Sequence, residues 1–131
     1  MKFMMMMHAP RGTGDYNVAS WRPEDVGGHV RYMHAFNAEL KQAGEFVLAE
    51  GLAPPATAKL VRGGTNGEPI TDGPFAESKE FLAGFWIVDV ESEARAYELA
   101  AKASMAPGSG GRPLHLNIEV RPVGTAPKTD G

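Results

Sequence analysis

The stretch EFLAGFWIVDV, at residues 80–90, is apolar on both sides of the strand that it predicts, and this constrains the fold most strongly. Successive side chains of a strand point to opposite faces of a sheet. Strict alternation places Phe81, Ala83, Phe85 and Ile87 on one face, and Leu82, Gly84, Trp86, Val88 and Val90 on the other. Neither face is polar, so each face needs a packing partner.

Residues 2–8 predict a second strand that is apolar on both faces, because methionines occupy both alternating sets of positions. Alternation predicts further strands at residues 46–52 and 114–123, and a hairpin at residues 59–62 and 68–71 around a glycine-rich turn. Apolar residues at every third or fourth position predict a helix from Pro23 to about residue 43. A second helix is predicted from the cap Ser92 to about residue 105.

This order of elements predicts an α+β, ferredoxin-like split βαβ fold with an extra hairpin. Two helices cover only one face of a four-stranded sheet. Because the strands at residues 2–8 and 80–90 are apolar on both faces, the uncovered face needs a partner, and a second copy is the economical one. We therefore predict a homodimer in which two sheets pair as a dimeric α/β barrel.

Composition excludes several classes of protein. The formal charge is −3, the isoelectric point is about 5.8, and no run is rich in Lys and Arg, which excludes sequence-independent nucleic-acid binding. The absence of cysteine excludes disulfides, thiolate metal sites and cysteine nucleophiles. No stretch approaches the roughly 20 apolar residues of a membrane helix. We expect a cytoplasmic protein without a direct nucleic-acid or membrane partner, with one domain at 1–123 and a flexible tail at 124–131.

Four stretches resemble the DGPF branch of the YCII-related proteins. They are MKFM at 1–4, EGLAPPATA at 50–58, TDGPFAESKE at 71–80 and EVRPV at 119–123. The resemblance implies a ferredoxin-like dimeric α/β barrel over residues 1–123 and implies little about activity. Some members of this family are encoded beside extracytoplasmic-function sigma factors.

The other branch of that family has a proposed His/Asp pair, and this chain departs from it at both places. The histidine position falls near Met33, one residue before His34, and Ala106 occupies the aspartate position before Pro107. The pair is therefore not assigned here.

Two carboxylates are the candidate catalytic residues. Asp72 either orders its own turn by accepting backbone hydrogen bonds or acts as an acid/base at the mouth of the cavity. Alternation places Glu50 on the same side as Phe46, Leu48 and Leu52. A carboxylate in that setting is either a surface group at the strand end or a buried proton carrier whose pKa is raised.

Five residues are the candidate ligand-binding positions: Lys79, Trp86, His115, Glu119 and Arg121. The last three, with Asn117, form a polar row that alternates with apolar residues, so the row faces away from the helices. Trp86 would supply apolar wall to the same space, and Lys79 would meet an anionic group. A polar dimer rim is the alternative reading of that row.

The leading hypothesis is small-molecule binding in the cavity between two sheets, with acid/base chemistry that needs no cofactor. No metal site is assigned, since His8 and His115 lack a third ligand. The alternative is a non-enzymatic accessory or regulatory protein that acts through a protein partner such as an extracytoplasmic-function sigma factor.

Overall fold

The computed structural model describes residues 1–10, 18–72 and 79–125. Within these ranges the elements follow the order β1 (Lys2–Pro10), α1 (Pro23–Gln42), β2 (Phe46–Gly51), β3 (Leu60–Gly63), β4 (Pro69–Asp72), β5 (Glu80–Asp89), α2 (Glu93–Ser104) and β6 (Asn117–Pro122), with short 3₁₀ turns at Val18–Ser20, Pro55–Thr57 and Ser109–Gly111. The four-stranded sheet is antiparallel with the order β2-β5-β1-β6, and β3 pairs with β4 as a separate hairpin. The predicted α+β, ferredoxin-like fold is confirmed.

The core lies between the helices and one face of the sheet. Alternate residues of β1 are buried there, as are Phe36 and Leu40 of α1. Alanines form most of the buried side of α2, which lets that helix lie close to the sheet. The sheet residues on this helix-covered face include Phe3, Met5, Met7, Trp86, Val88, Ile118 and Val120.

Residues at the helix ends match the signals read from the sequence. Pro23 occupies the first turn of α1. After its end, Gly44 adopts a positive φ of 73°, which glycine tolerates without steric strain. The Ser92 side chain accepts a hydrogen bond from the Arg95 amide and caps α2. In the described ranges, no helix combines the length and the apolar character needed to cross a membrane.

A bulge in β5 corrects the strict alternation predicted for that strand. The register shifts between Met7 and His8, so His8 pairs with Leu82 and Ala83 is the extra residue of β5. Beyond this bulge, Phe81 and Ala83 join the helix-covered core, and the prediction that they share a face with Phe85 is wrong.

The last strand begins at Asn117, three residues later than the predicted residue 114. His115 has a positive φ of 51°, which interrupts an extended strand. The preceding segment bonds to the end of α2 instead: the Leu114 amide donates to the Ala106 carbonyl, and the Leu116 amide donates to the Ser104 carbonyl. Leu114 and Leu116 still pack in the core, as the apolar periodicity predicted.

Gly84 permits the close approach of β2 to β5. A Cβ built at Gly84 would lie 2.9 Å from the Glu50 carbonyl oxygen, whereas one built at its register partner Gly51 would meet nothing within 4 Å. Because the obstacle is backbone, we expect Gly84→Ala to lower the free energy of unfolding by about 1–3 kcal/mol. We expect Gly51→Ala to be neutral or slightly stabilising. Urea denaturation of both variants measures the contrast, and equal effects would contradict this packing.

An ion pair joins α2 to the start of β2. The Arg95 Nε and Nη2 atoms donate to the two Glu45 carboxylate oxygens, each at 2.9 Å. This hydrogen bonding lowers the pKa of Glu45 below its ordinary value of 4.5, despite an opposing effect of partial burial. The folded chain therefore binds the Glu45 proton more weakly than the unfolded chain does, and stability is lost as pH falls through the carboxyl range.

The expected result is that Glu45→Gln lowers the free energy of unfolding by about 1.5 kcal/mol at neutral pH, at the low end for a charged hydrogen bond because Arg95 is partly exposed. The deficit should shrink as the pH falls below the ordinary carboxyl range. Glu98→Gln is the control, since Glu98 contacts Arg95 with a side chain that is 66% exposed. A Glu45→Gln deficit that stays constant from pH 7 to pH 3 would contradict the linkage.

Candidate functional site

The sheet face away from the helices carries an apolar centre. Register pairing places Met4 opposite Ile87 and Met6 opposite Phe85 on this face. All four side chains are half-buried, whereas their neighbours on the other face are fully buried in the core. We call this surface the open face, and it comprises Met4, Met6, His8, Leu48, Glu50, Leu82, Phe85, Ile87, Asn117, Glu119 and Arg121.

A polar edge borders the apolar centre on the β6 side. His8 Nε2 lies 3.0 Å from Glu119 Oε1, and Arg121 Nε lies 3.9 Å from the other carboxylate oxygen. The His8 and Glu119 side chains are 27% and 46% exposed, so both are reachable by a ligand. A carboxylate bonded to one imidazole nitrogen fixes the ring, and the pair is able to accept and return a proton.

His8 separates two hollows. An apolar hollow of about 510 Å³ lies on the side of Leu82 and the Pro54–Pro55 segment. A polar hollow of about 240 Å³ lies on the side of His115 and Asn117. Glu80 borders both, and its Oε2 accepts a hydrogen bond of 3.2 Å from Asn117 Nδ2. The His8 imidazole is thus positioned between a wall that suits an apolar group and a wall that suits polar groups.

The two histidines considered as metal ligands line the same polar hollow. Across the described ranges, no three His, Asp or Glu side chains come together as a metal-binding group. The partner of His8 is the carboxylate of Glu119, a residue predicted to bind a ligand. The alternation of β6 was predicted, but only the observed register of β6 against β1 brings Glu119 beside His8.

Glu50 lies at the opposite edge of the open face, paired with Phe85, and it is exposed. A register shift between Phe46 and Leu48 breaks the alternation of β2. Glu50 therefore shares a face with Leu48, but the expectation that it also shares one with Phe46 is wrong. Phe46 packs on the helix side, where Lys41 Nζ lies 4.8 Å from its ring centroid.

Trp86 lies on the helix-covered face, so the expectation that it walls the space between two sheets is wrong. Its ring packs edge-on against Phe36, with centroids 5.4 Å apart. Its Nε1 donates a hydrogen bond of 2.8 Å to Asn37 Oδ1. This bond provides the structural link that a polar residue on the apolar stripe of α1 requires.

The remaining candidates flank the DGPF turn. Asp72 ends β4, pairs with Leu60 and is exposed, and Lys79 is exposed just before β5. Residues 73–78 between them, where the sequence predicts a turn, lie outside the described residues, as do residues 126–131 of the predicted tail. The structure brings His8, Glu119 and Arg121 together, with His115 in the adjoining hollow, and it places Glu50, Trp86 and Asp72 elsewhere.

A further concavity lies between α1 and the edge formed by β2 and β5. This helix cleft, of about 280 Å³, is lined by Met7, His29, Val30, Met33, His34, Asn37, Ala49, Glu50, Gly51, Ala83, Gly84, Phe85 and Trp86. His29 Nδ1 lies 2.9 Å from the Pro107 carbonyl oxygen. The histidine of α1 that reaches the Ala106–Pro107 segment is therefore His29, and His34 is exposed at the cleft.

The fold and the element order define a ferredoxin-like α+β protein with an inserted hairpin. A model of the YCII-related domain matches residues 1–110. The chain is also 32% identical over 119 residues to an uncharacterized protein, R00369, of Rhizobium meliloti (strain 1021), a match that covers 90% of this chain and 92% of that protein. The chain belongs to the YCII-related family.

Proposed function

We propose that two copies of this chain pair through their open faces and bind a small molecule in the cavity between the sheets. The observation that carries the proposal is the His8–Glu119 pair, which borders an apolar surface and whose His8 lies between two hollows. A concave site with apolar walls and a few convergent polar groups is the usual form of a small-molecule site. The site uses side chains alone and needs no cofactor.

The distribution of apolar and polar side chains on the open face favours pairing with a second copy of the chain. Its centre holds methionine, leucine, isoleucine and phenylalanine side chains, and its two edges hold Glu50 and the β6 polar row. An apolar centre with a polar rim is the anatomy of a protein interface. A two-fold pairing also buries the same surface of both copies, so no apolar face is left uncovered.

The chemistry proposed for this site is proton transfer. Glu119 holds the His8 ring, and a neutral imidazole removes a proton from a bound molecule and returns it to another atom. Arg121 beside Glu119 offers a cation to a polar substituent of that molecule. Glu50 supplies a second carboxylate at the opposite edge, and Asp72 and Lys79 remain candidates on either side of residues 73–78.

A thermal-shift screen of a metabolite library tests the site. Compounds that stabilise the wild type through this site should lose most of their shift in His8→Gln and in Glu119→Gln. Glu91→Gln is the matched control, because Glu91 is an exposed carboxylate outside the open face, and it should respond like the wild type. Hits that stabilise all four proteins equally would contradict the assignment of the site.

A second function is favoured by the hairpin. Leu60 and Val61 are 40% and 61% exposed, which suits a non-enzymatic accessory protein that docks a protein partner such as an extracytoplasmic-function sigma factor. An experimental structure of the dimer separates the two proposals. A deep cavity at His8 and Glu119 supports ligand binding, and a filled, dry interface supports the accessory role.

A further inference from the structure

The Asn37 side-chain amide lines the helix cleft, and its hydrogen bond with Trp86 fixes its orientation. The indole nitrogen of Trp86 is a donor only, so the Asn37 atom at 2.8 Å from it must be the carbonyl oxygen. The Asn37 NH₂ group consequently lies on the other side of the side-chain amide. Trp86 is 5% exposed and packed against Phe36, so it holds Asn37 in this orientation.

The two hydrogens of this NH₂ group have no acceptor in the described part of the chain. Asn37 is half-buried and lines the helix cleft, and its bond from Trp86 is the interaction that its side chain makes there. The NH₂ group is half-buried in a cleft that is open to solvent, so it is able to donate to a ligand that brings an acceptor oxygen.

The other walls of the cleft restrict the ligand. Met7, Met33, Ala49 and Ala83 provide apolar surface around Asn37. A volume of about 280 Å³ exceeds the roughly 150 Å³ cavity that holds a benzene ring, and it falls at the small end for ligand sites. Among the described residues that line the cleft none is Lys or Arg, so the cleft offers no fixed cation to an anionic ligand.

We infer that the helix cleft is a second binding site, which takes a small uncharged molecule with a compact apolar body and a carbonyl oxygen. The carbonyl oxygen accepts from the Asn37 NH₂ group, and the apolar body packs against the Met7, Met33 and Trp86 side chains. Most of its lining residues lie on α1 and on the helix side of the sheet, and Glu50 and Phe85 of the open face border it at the β2 and β5 edge.

Benzamide is the probe, since it combines a ring with an uncharged carbonyl. Titration into ¹⁵N-labelled protein should move the indole N–H resonance of Trp86 in a saturable manner. Toluene lacks the acceptor and benzoate carries a charge, so both should bind at least several-fold more weakly.

The decisive variant is Asn37→Asp, because an aspartate oxygen still accepts from Trp86 but the NH₂ donors are gone. The affinity for benzamide should fall about 10-fold, the effect of one lost hydrogen bond. Asn66→Asp makes the same chemical change at the exposed hairpin tip and should leave the affinity unchanged. Any of three results would overturn the inference. The wild type and Asn37→Asp bind benzamide equally well, the wild type binds benzamide and toluene equally well, or the Trp86 resonance does not move at millimolar benzamide.

Discussion

Trp86→Ala is expected to lower the free energy of unfolding by about 3–5 kcal/mol, the cost of removing a large aromatic side chain from a packed core. Trp86 is 5% exposed, packs edge-on against Phe36 and donates to Asn37. The substitution leaves a cavity between α1 and the sheet, and the Asn37 carbonyl oxygen loses its donor. Urea denaturation followed by far-ultraviolet circular dichroism measures the loss without using the tryptophan signal.

The control for Trp86→Ala is Tyr97→Ala. Tyr97 lies on α2, is 52% exposed and bonds to Glu93, so its removal should cost far less than the removal of Trp86. If Trp86→Ala is no more damaging than Tyr97→Ala, Trp86 does not belong to the core between the helices and the sheet.

Phe85→Glu is expected to separate the two copies while leaving each copy folded. Phe85 is the neighbour of Trp86 in β5, but it lies on the open face, where its register partner is Met6. A two-fold axis places the new carboxylate in the interface twice, and an unpaired buried charge costs about 3–5 kcal/mol. The dissociation constant should therefore rise by at least about 100-fold.

The matched control for Phe85→Glu is Val61→Glu in the hairpin, where the side chain is 61% exposed and outside the open face. This variant should keep the wild-type dissociation constant. Loss of the folded state in Phe85→Glu, judged by far-ultraviolet circular dichroism, would mean that Phe85 belongs to the core of a single copy.

The topology was predictable because its signals are local. The periodicity of α1 and α2, the Ser92 cap, Gly44 and the alternation of β6 each depend on residues close in sequence. The order in which the strands pair then followed from the ferredoxin-like fold that this order of elements predicts. The same alternation placed Asn117, Glu119 and Arg121 on one face, and the register shows that this is the open face.

The predictions of which side chains share a sheet face were wrong where one extra residue in a strand reverses the facing of the residues beyond it. The bulge at Ala83 and the register shift after Phe46 leave no mark in sequences that are apolar on both sides. The prediction of the sheet face on which Trp86 lies was wrong for a related reason. Both faces of β5 are apolar, so the pattern does not indicate which face the helices cover. Only tertiary packing, with Phe36 and Asn37 against Trp86, decides it.

The candidate site was predictable in part. Its polar row followed from the alternation of β6, but the His8–Glu119 pair depends on a register between strands that are more than 100 residues apart in sequence. The orientation of Asn37 likewise depends on a donor 49 positions away. Such pairs are set by tertiary packing, and local patterns do not contain them.

Sedimentation velocity of the wild-type protein at micromolar concentration tests the central claim most directly, because the proposed site requires a second copy on the open face. We predict a single species of twice the 14.0 kDa chain mass, and a species of one chain mass for Phe85→Glu under the same conditions. A folded wild-type protein that sediments as a monomer at that concentration would contradict the pairing of the open faces.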